Sequence, residues 1–180
     1  LSGRQLAYSP STSEDGIAGE IVFIPEVENK QEFTEVIDRT PLVSIDLVVE
    51  NEKGEILFGL RTNRPAKGYW FVPGGRILKD ETLDDAFLRL TQNELGVEIN
   101  RSDARLLDIY EHFYEDSVMG GNPSTHYVVA GYHFKVQQNR LALPIGDQHN
   151  EYKWCAKAMV KGDASIHKHS SDYMDAVLNI

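Results

Sequence analysis

The chain has 180 residues, enough for one domain with a sizeable core, and carries a formal net charge of −10 with 26% charged and 41% hydrophobic residues. That balance argues against nucleic acid or an anionic membrane as partner, though not against a small anionic ligand met by locally focused arginines or a cation. Cys155 is the sole cysteine, no apolar run approaches the roughly 20 residues that span a bilayer, and no signal-peptide pattern is present, so a reducing, cytoplasmic setting is expected.

Residues 1–18 are polar, Ser- and Gly-rich and aperiodic, and read as a tail, disordered, left by processing or added to the native chain. Residues 19–180 read as the folded domain. Glu20 to Ile24 suits a short strand. Gln31 to Asp38 suits a short helix with Phe33, Val36 and Ile37 on one side, ended by Pro41. Val43 to Val49 is β-branched and reads as a strand, Asn51 to Gly54 as a turn, and Ile56 to Gly59 as the return strand. A polar loop from Arg61 to Gly68 leads to a strand at Tyr69 to Val72, which Pro73-Gly74-Gly75 breaks. Asp46 stands out in the apolar run VSIDLVV. Either it faces solvent on an edge strand or it has a task in a site.

Thr82 to Leu95 reads as a helix, with a capping box at Thr82 and Asp85 and a stop at Gly96. Leu83, Ala86, Phe87 and Leu90 form its apolar stripe, and Glu94 falls inside that stripe. A bare carboxylate on a buried face is costly, so Glu94 is either salt-bridged to a nearby arginine or bound to a metal. Glu81 and Arg89 lie off the stripe and read as an ion pair bracing the loop–helix junction rather than as catalytic groups. Further strands are expected at Leu106 to His112, His126 to Val136 and around Tyr152 to Cys155, with a loop from Tyr114 to Ser124 and a closing helix at Ser171 to Leu178. Strands with two main helices imply an α+β (α/β) fold, a mixed β-sheet sandwiched between α-helices.

The segment Gly75 to Val97 reads GRILKDETLDDAFLRLTQNELGV. A glycine, a glutamate six positions on, an arginine eight further on and a closing Glu-x-Gly-aliphatic resemble the Nudix box, G-x5-E-x7-R-E-U-x-E-E-x-G-U with U aliphatic. Leu90 and Asn93 stand where that box has glutamates, and Thr91 where it has an aliphatic residue. Together with Thr40-Pro41-Leu42-Val43-Ser44, Arg61-Thr62-Asn63-Arg64-Pro65, Gly68-Tyr69-Trp70-Phe71-Val72-Pro73-Gly74-Gly75-Arg76, Thr125-His126-Tyr127-Val128-Val129 and Gln148-His149, the pattern is most similar to the GDP-mannose mannosyl hydrolase branch of the Nudix hydrolases. The likeness covers roughly Val27 to His169.

That resemblance implies one Mg²⁺ (Mn²⁺ as a substitute) held by Glu94, the Gly74 carbonyl and the Gln148 side chain, all oxygen donors suited to a hard cation. It implies His149 as the base that takes a proton from water, a task for which histidine is suited near neutral pH. Arg61 and Arg76 would face the diphosphate, Tyr127 would help the leaving group, Asp46 would steady positive charge at the sugar carbon, and Phe33 would lie near the nucleotide. The substrate would be a GDP-sugar and the assembly a homodimer. Two other readings stay open: a conventional Nudix pyrophosphohydrolase using acids such as Glu111, Glu115 or Asp116, and a non-catalytic nucleotide-sugar sensor.

Overall fold

The computed structural model describes residues 30–115, 122–145 and 149–179. The expected strand at Glu20 to Ile24 and the metal-ligand candidate Gln148 lie outside these ranges. Helix α1 spans Lys30–Arg39. It meets the body along one narrow row: Ile37 is buried and Phe33 half-buried, four positions apart, whereas Val36, expected on the same side, is exposed.

Strand β1 (Leu42–Glu50) is the spine of the molecule. It turns at Asn51, whose side-chain oxygen accepts from the backbone N–H groups of Lys53 and Glu55, into β2 (Glu55–Arg61). Strand β3 is only Trp70–Phe71, and Pro73 ends that run as expected. The following glycines do not start a loop, however. Gly74–Arg76 forms β4, antiparallel to β1, with Asp46 opposite Gly74 and Ile45 opposite Gly75. Strands β5 (Arg105–Tyr114), β6 (Thr125–Lys135) and β7 (His149–Ala156) complete the sheet. The order is β3-β2-β1-β6-β5, with β4 on β1 and β7 on β2. Among the paired strands of the described residues only β1 and β6 run parallel, so the sheet is mixed.

The two faces of β1 are covered by different layers. Ile45, Leu47 and Val49 pack with Ala86, Phe87, Leu90 and Leu95 of α2 (Leu83–Leu95). Val48 packs on the other face with Val160, Tyr173, Met174 and Val177. That second layer comes from three short helices, α3 (Lys157–Val160), α4 (Lys168–Asp172) and α5 (Met174–Val177), where the sequence suggested one closing helix. The break between α4 and α5 falls at Tyr173. The sheet is thus sandwiched between helices as expected, and because side chains alternate along a strand, Ser44, Asp46 and Val48 look toward the α3–α5 side.

Helix α2 is capped as its sequence foretells. The Thr82 hydroxyl accepts from the Asp85 N–H, and Gly96 closes the helix in the left-handed conformation at φ 68°. Leu83, in the first turn, lies outside the packed layer and is exposed, so the buried stripe is Ala86, Phe87, Leu90 and Glu94. Thr91, in place of the usual aliphatic residue, is fully buried; its hydroxyl donates to the Leu88 carbonyl and accepts from the Ile99 N–H. Arg89 grips Glu81 through two nitrogens at 2.6 and 2.8 Å and also donates to the Arg76 carbonyl at 2.9 Å. The bracing role is observed: this one guanidinium ties β4, the loop and α2 together. Arg89→Ala is expected to cost about 2 kcal/mol, the weight of hydrogen bonds to a charged, half-buried group. Urea unfolding measures it, and a cost under about 0.5 kcal/mol would contradict the bracing role.

Candidate functional site

A cavity of about 190 Å³ opens where β1, β4, β5 and β6 meet. Asp46, Arg61, Gly74, Arg76 and Tyr127 all line it, so five of the residues singled out in the sequence converge on one space. The volume is smaller than the roughly 300–1,000 Å³ of a site for a drug-sized ligand, and suits one portion of a nucleotide derivative.

Asp46 does not face solvent on an edge. β1 is interior, between β6 on one side and β2 and β4 on the other, and the carboxyl is buried. Its Oδ2 accepts from the Tyr173 hydroxyl at 2.7 Å. Burial pushes its pKa up to about 7, while Tyr173 and the Arg61 charge pull the other way. Arg61, at the end of β2, has a buried Nε with no hydrogen-bond partner and holds its guanidinium 5.5 Å from the Phe71 ring centre. An unsatisfied charged donor at a cavity wall suits an anionic oxygen. Arg76 ends β4, and its guanidinium lies 4.3 Å from the ring centre of Phe33, which α1 of the same chain brings across. Burial raises the Tyr127 hydroxyl, against the opposing pull of Arg76 and Arg61, so it remains a proton donor at neutral pH.

Glu94 and His149 form a second group beside this cavity rather than within its wall. His149 opens β7 and stands opposite Arg61 of β2. It is not an ordinary loop residue: it is 2% exposed, and neither ring nitrogen has a hydrogen-bond partner. Its Nε2 lies 3.6 Å from Glu94 Oε2, the only ion-pair contact of Glu94 among the described residues. Among the described residues no arginine pairs with Glu94, and Arg89 is spent on Glu81. A buried carboxylate without a cationic side-chain partner fits a hard divalent ion, and Gly74 offers a backbone oxygen on the neighbouring strand. No cluster of three or more His, Cys, Asp or Glu side chains exists among the described residues, so a metal here would rest on sparse protein ligation. Leu90 is 3% exposed in the apolar core and Asn93 is exposed. Of the acids that a pyrophosphohydrolase could have borrowed, Glu111 and Glu115 are exposed and neither lines the cavity. Asp116 lies outside the described residues.

Three lining residues with polar side chains were given no site role by the sequence reading: Ser44, His112 and Tyr114. Ser44 had a signal, since it sits two positions before Asp46 on the same strand face. His112 sits two before Tyr114 on β5. Burial, with the charges of His169, His167 and Lys168 around it, lowers the His112 pKa to about 3, so it is neutral at physiological pH. Its ring stacks on His169, with centroids 4.1 Å apart.

A family model, the NUDIX domain, matches residues 40–175. The chain belongs to the Nudix family. Its Nudix domain is 36% identical over 146 residues to the low-salt glycan biosynthesis protein Agl8 of Haloferax volcanii, a match covering 81% of this chain and 88% of that protein. Among solved structures it resembles the MutT protein of Methanosarcina mazei Go1, at a TM-score of 0.63 and 19% identity, covering 78% of this chain and 96% of that one. It also resembles the Nudix domain of Shewanella oneidensis NrtR in complex with ADP ribose, at a TM-score of 0.60 and 19% identity, covering 78% and 88%. These structures share the mixed-sheet Nudix fold. Nudix hydrolases act on nucleotide derivatives and use divalent ions such as Mg²⁺ or Mn²⁺.

The buried Asp46 yields a stability prediction. An acid whose pKa is raised on folding, here from 3.8 to about 7, favours the folded state only while protonated. That contribution is whole below the unfolded value and is lost as pH rises through about 7. Asp46→Asn, which keeps an acceptor for Tyr173 without the charge, should therefore melt higher than the parent chain. Its advantage should grow by about 1.4 kcal/mol per pH unit between roughly pH 4 and 7 and then level off. Thermal melts across that range measure it, and a pH-independent difference would contradict the burial argument.

Proposed function

We propose that this Nudix hydrolase converts GDP-mannose, or a related GDP-hexose, into GDP and the free sugar, with water attacking the anomeric carbon and inverting it from α to β. One observation carries the reading. Leu90, where the box has a glutamate, is built into the apolar core against Gly75, and Asn93 replaces the second acid, so Glu94 alone remains on that part of the helix. Among the described residues there is no cluster of carboxylates able to gather several cations around a phosphorus-attacking water.

In this reading Glu94, the Gly74 carbonyl and Gln148 would hold one Mg²⁺, which would supply charge neutralisation for a diphosphate. Arg61 presents its unpaired Nε to that diphosphate, and Arg76 adds a second guanidinium fork. Tyr127 donates a hydrogen bond toward the leaving oxygen. The C1–O bond breaks with its electron pair on the β-phosphate oxygen, and Asp46 faces the positive charge developing at C1. Water forms the new C1–O bond and gives its proton to a ring nitrogen of His149. Phe33 is not in the cavity wall but lies under Arg76, and in this reading it would border the nucleotide. The Haloferax volcanii relative bears a name from glycan biosynthesis, a setting in which sugar nucleotides are met. The same reading takes the enzyme as a cytoplasmic homodimer whose domain extends over residues 19–180.

The products decide between this and attack at phosphorus between the two phosphates. With Mg²⁺ and GDP-mannose, phosphorus and proton NMR should show GDP and β-mannose as first products. GMP and mannose 1-phosphate would refute the proposal, and no turnover would favour a sensor. His149→Gln should retain Mn²⁺ binding while turnover falls by about two to four orders of magnitude, the weight of a general base. Near-normal turnover in that variant would remove His149 from its role.

A further inference from the structure

Tyr173 takes no part in the scheme above, yet it is the largest fully buried side chain of the protein's described residues. A tyrosine hydroxyl sunk in an apolar layer must find a partner. Here it spans 127 positions of sequence to donate to Asp46 Oδ2 at 2.7 Å. We propose that Tyr173 is a positioning residue for Asp46: its hydroxyl ties down one carboxylate oxygen, so that the other is held on the Gly74 side, at the wall of the cavity. The proposal rests on the reading of Asp46 as the group that faces the sugar carbon.

The surroundings of the ring support this assignment. Strand β6 places Gly131 directly beside Asp46 in the parallel pairing. A Cβ at Gly131 would lie 2.7 Å from Tyr173 Cε1 and 3.0 Å from Tyr110 Cε2. Glycine weakens a strand interior, so a close approach gives it a reason to be there. Tyr110 packs edge-on against the Tyr173 ring at 4.6 Å between centroids, closing it from the other side. The chain between α4 and α5 breaks at the same residue. Ring, strand and helix junction thus aim one hydroxyl at one carboxylate.

The rest of the hydroxyl's environment leaves Asp46 as its strong acceptor. His112 Nε2 stands 3.5 Å away and is neutral, so it neither competes as a cation nor offers a charge-assisted bond. On the Asp46 side, an added Cβ at Gly74 would lie 2.7 Å from Oδ1, which places that oxygen against β4. Arg61 also lines the cavity, but no ion pair within 4 Å joins it to Asp46 among the described residues. With Oδ2 held by Tyr173, the carboxylate is not free to swing and neutralise that arginine.

Tyr173→Phe removes only the hydroxyl, and Tyr173→Leu also removes the ring. If Tyr173 is mere packing, the Phe variant matches the parent chain in every respect. If it positions Asp46, the Phe variant still melts cooperatively, but its kcat on GDP-mannose falls roughly tenfold to a hundredfold, the worth of one hydrogen bond to a charged group. Its KM should stay within about twofold, because charge at the anomeric carbon appears only in the transition state. The Leu variant should lose melting temperature as well. A kcat for the Phe variant within twofold of the parent, or a loss carried by KM, overturns the proposal. A crystal structure of Tyr173→Phe gives an answer independent of turnover. The Asp46 carboxylate should be rotated from its present setting, and an unchanged setting overturns the proposal even if kcat falls. Should the parent chain release no free sugar, the substrate reading fails, whereas the Asp46 geometry in that crystal still decides the role of Tyr173.

Discussion

The close approach of β4 to β1 on one side and to α2 on the other is the constraint on which the site depends. Two adjacent glycines permit it. At Gly74 a Cβ would lie 2.7 Å from Asp46 Oδ1, and at Gly75 one would lie 2.6 Å from Leu90 Cδ2. At Gly74 the Ile45 carbonyl oxygen, a backbone atom, would also lie 2.5 Å from that Cβ, and at Gly75 the Leu90 side chain would have to move, so the backbone of β4 forms the wall shared by the cavity and the α2 layer. Arg89 then locks the arrangement by gripping Glu81 and the Arg76 carbonyl together. Remove the glycine pair and β4 must shift away from β1, which would move the Gly74 carbonyl and Arg76 together. The substitution of leucine for a box glutamate at position 90 belongs to the same constraint, because an apolar side chain is what fills the space over Gly75.

An acidic chain thereby presents a locally cationic cavity. The net charge of −10 is spread over the surface, whereas Arg61 and Arg76 stand at the cavity wall. Three groups nearby are kept at a cost to folding: the Asp46 carboxyl, pushed up to about 7 by burial, the unpaired Nε of Arg61, and His149 with two unpartnered ring nitrogens. Unsatisfied buried polar atoms are destabilising, and those on Arg61 and His149, paired across β2 and β7, fit a place where a ligand or ion completes the bonding. By contrast, the buried Glu50 at the far end of β1 is fully answered by His133, Lys157 and Lys135. Two positions four apart on the same strand, Asp46 at its middle and Glu50 at its end, thus treat a buried acid in opposite ways.

Most strands, α2 with its caps and the mixed sheet were legible because their signals are local: β-branched runs, a capping threonine, a terminating glycine. The convergence of Asp46, Arg61, Gly74, Arg76 and Tyr127 was legible only through resemblance, since no local rule brings β1, β2, β4 and β6 to one point. Strand β4 was missed because Pro-Gly-Gly normally signals a turn, and its reason for being extended lies in contacts with β1 and α2. The interior place of Asp46 could not be told from an edge place, because strand order is a tertiary property. Tyr173 fell inside the expected closing helix without being singled out; its hydroxyl contact lies 127 residues away and leaves no periodic trace. Val36 and Leu83 were misplaced for the converse reason, since helical periodicity names a face but not how far the neighbouring layer extends.

Under the proposed function, water attacks the sugar carbon rather than a phosphorus atom. Turnover of GDP-mannose with Mg²⁺ in ¹⁸O-labelled water, followed by mass spectrometry of both products, tests it most directly. The label is expected in the released mannose and not in GDP. Label in the phosphate of the nucleotide product would contradict it.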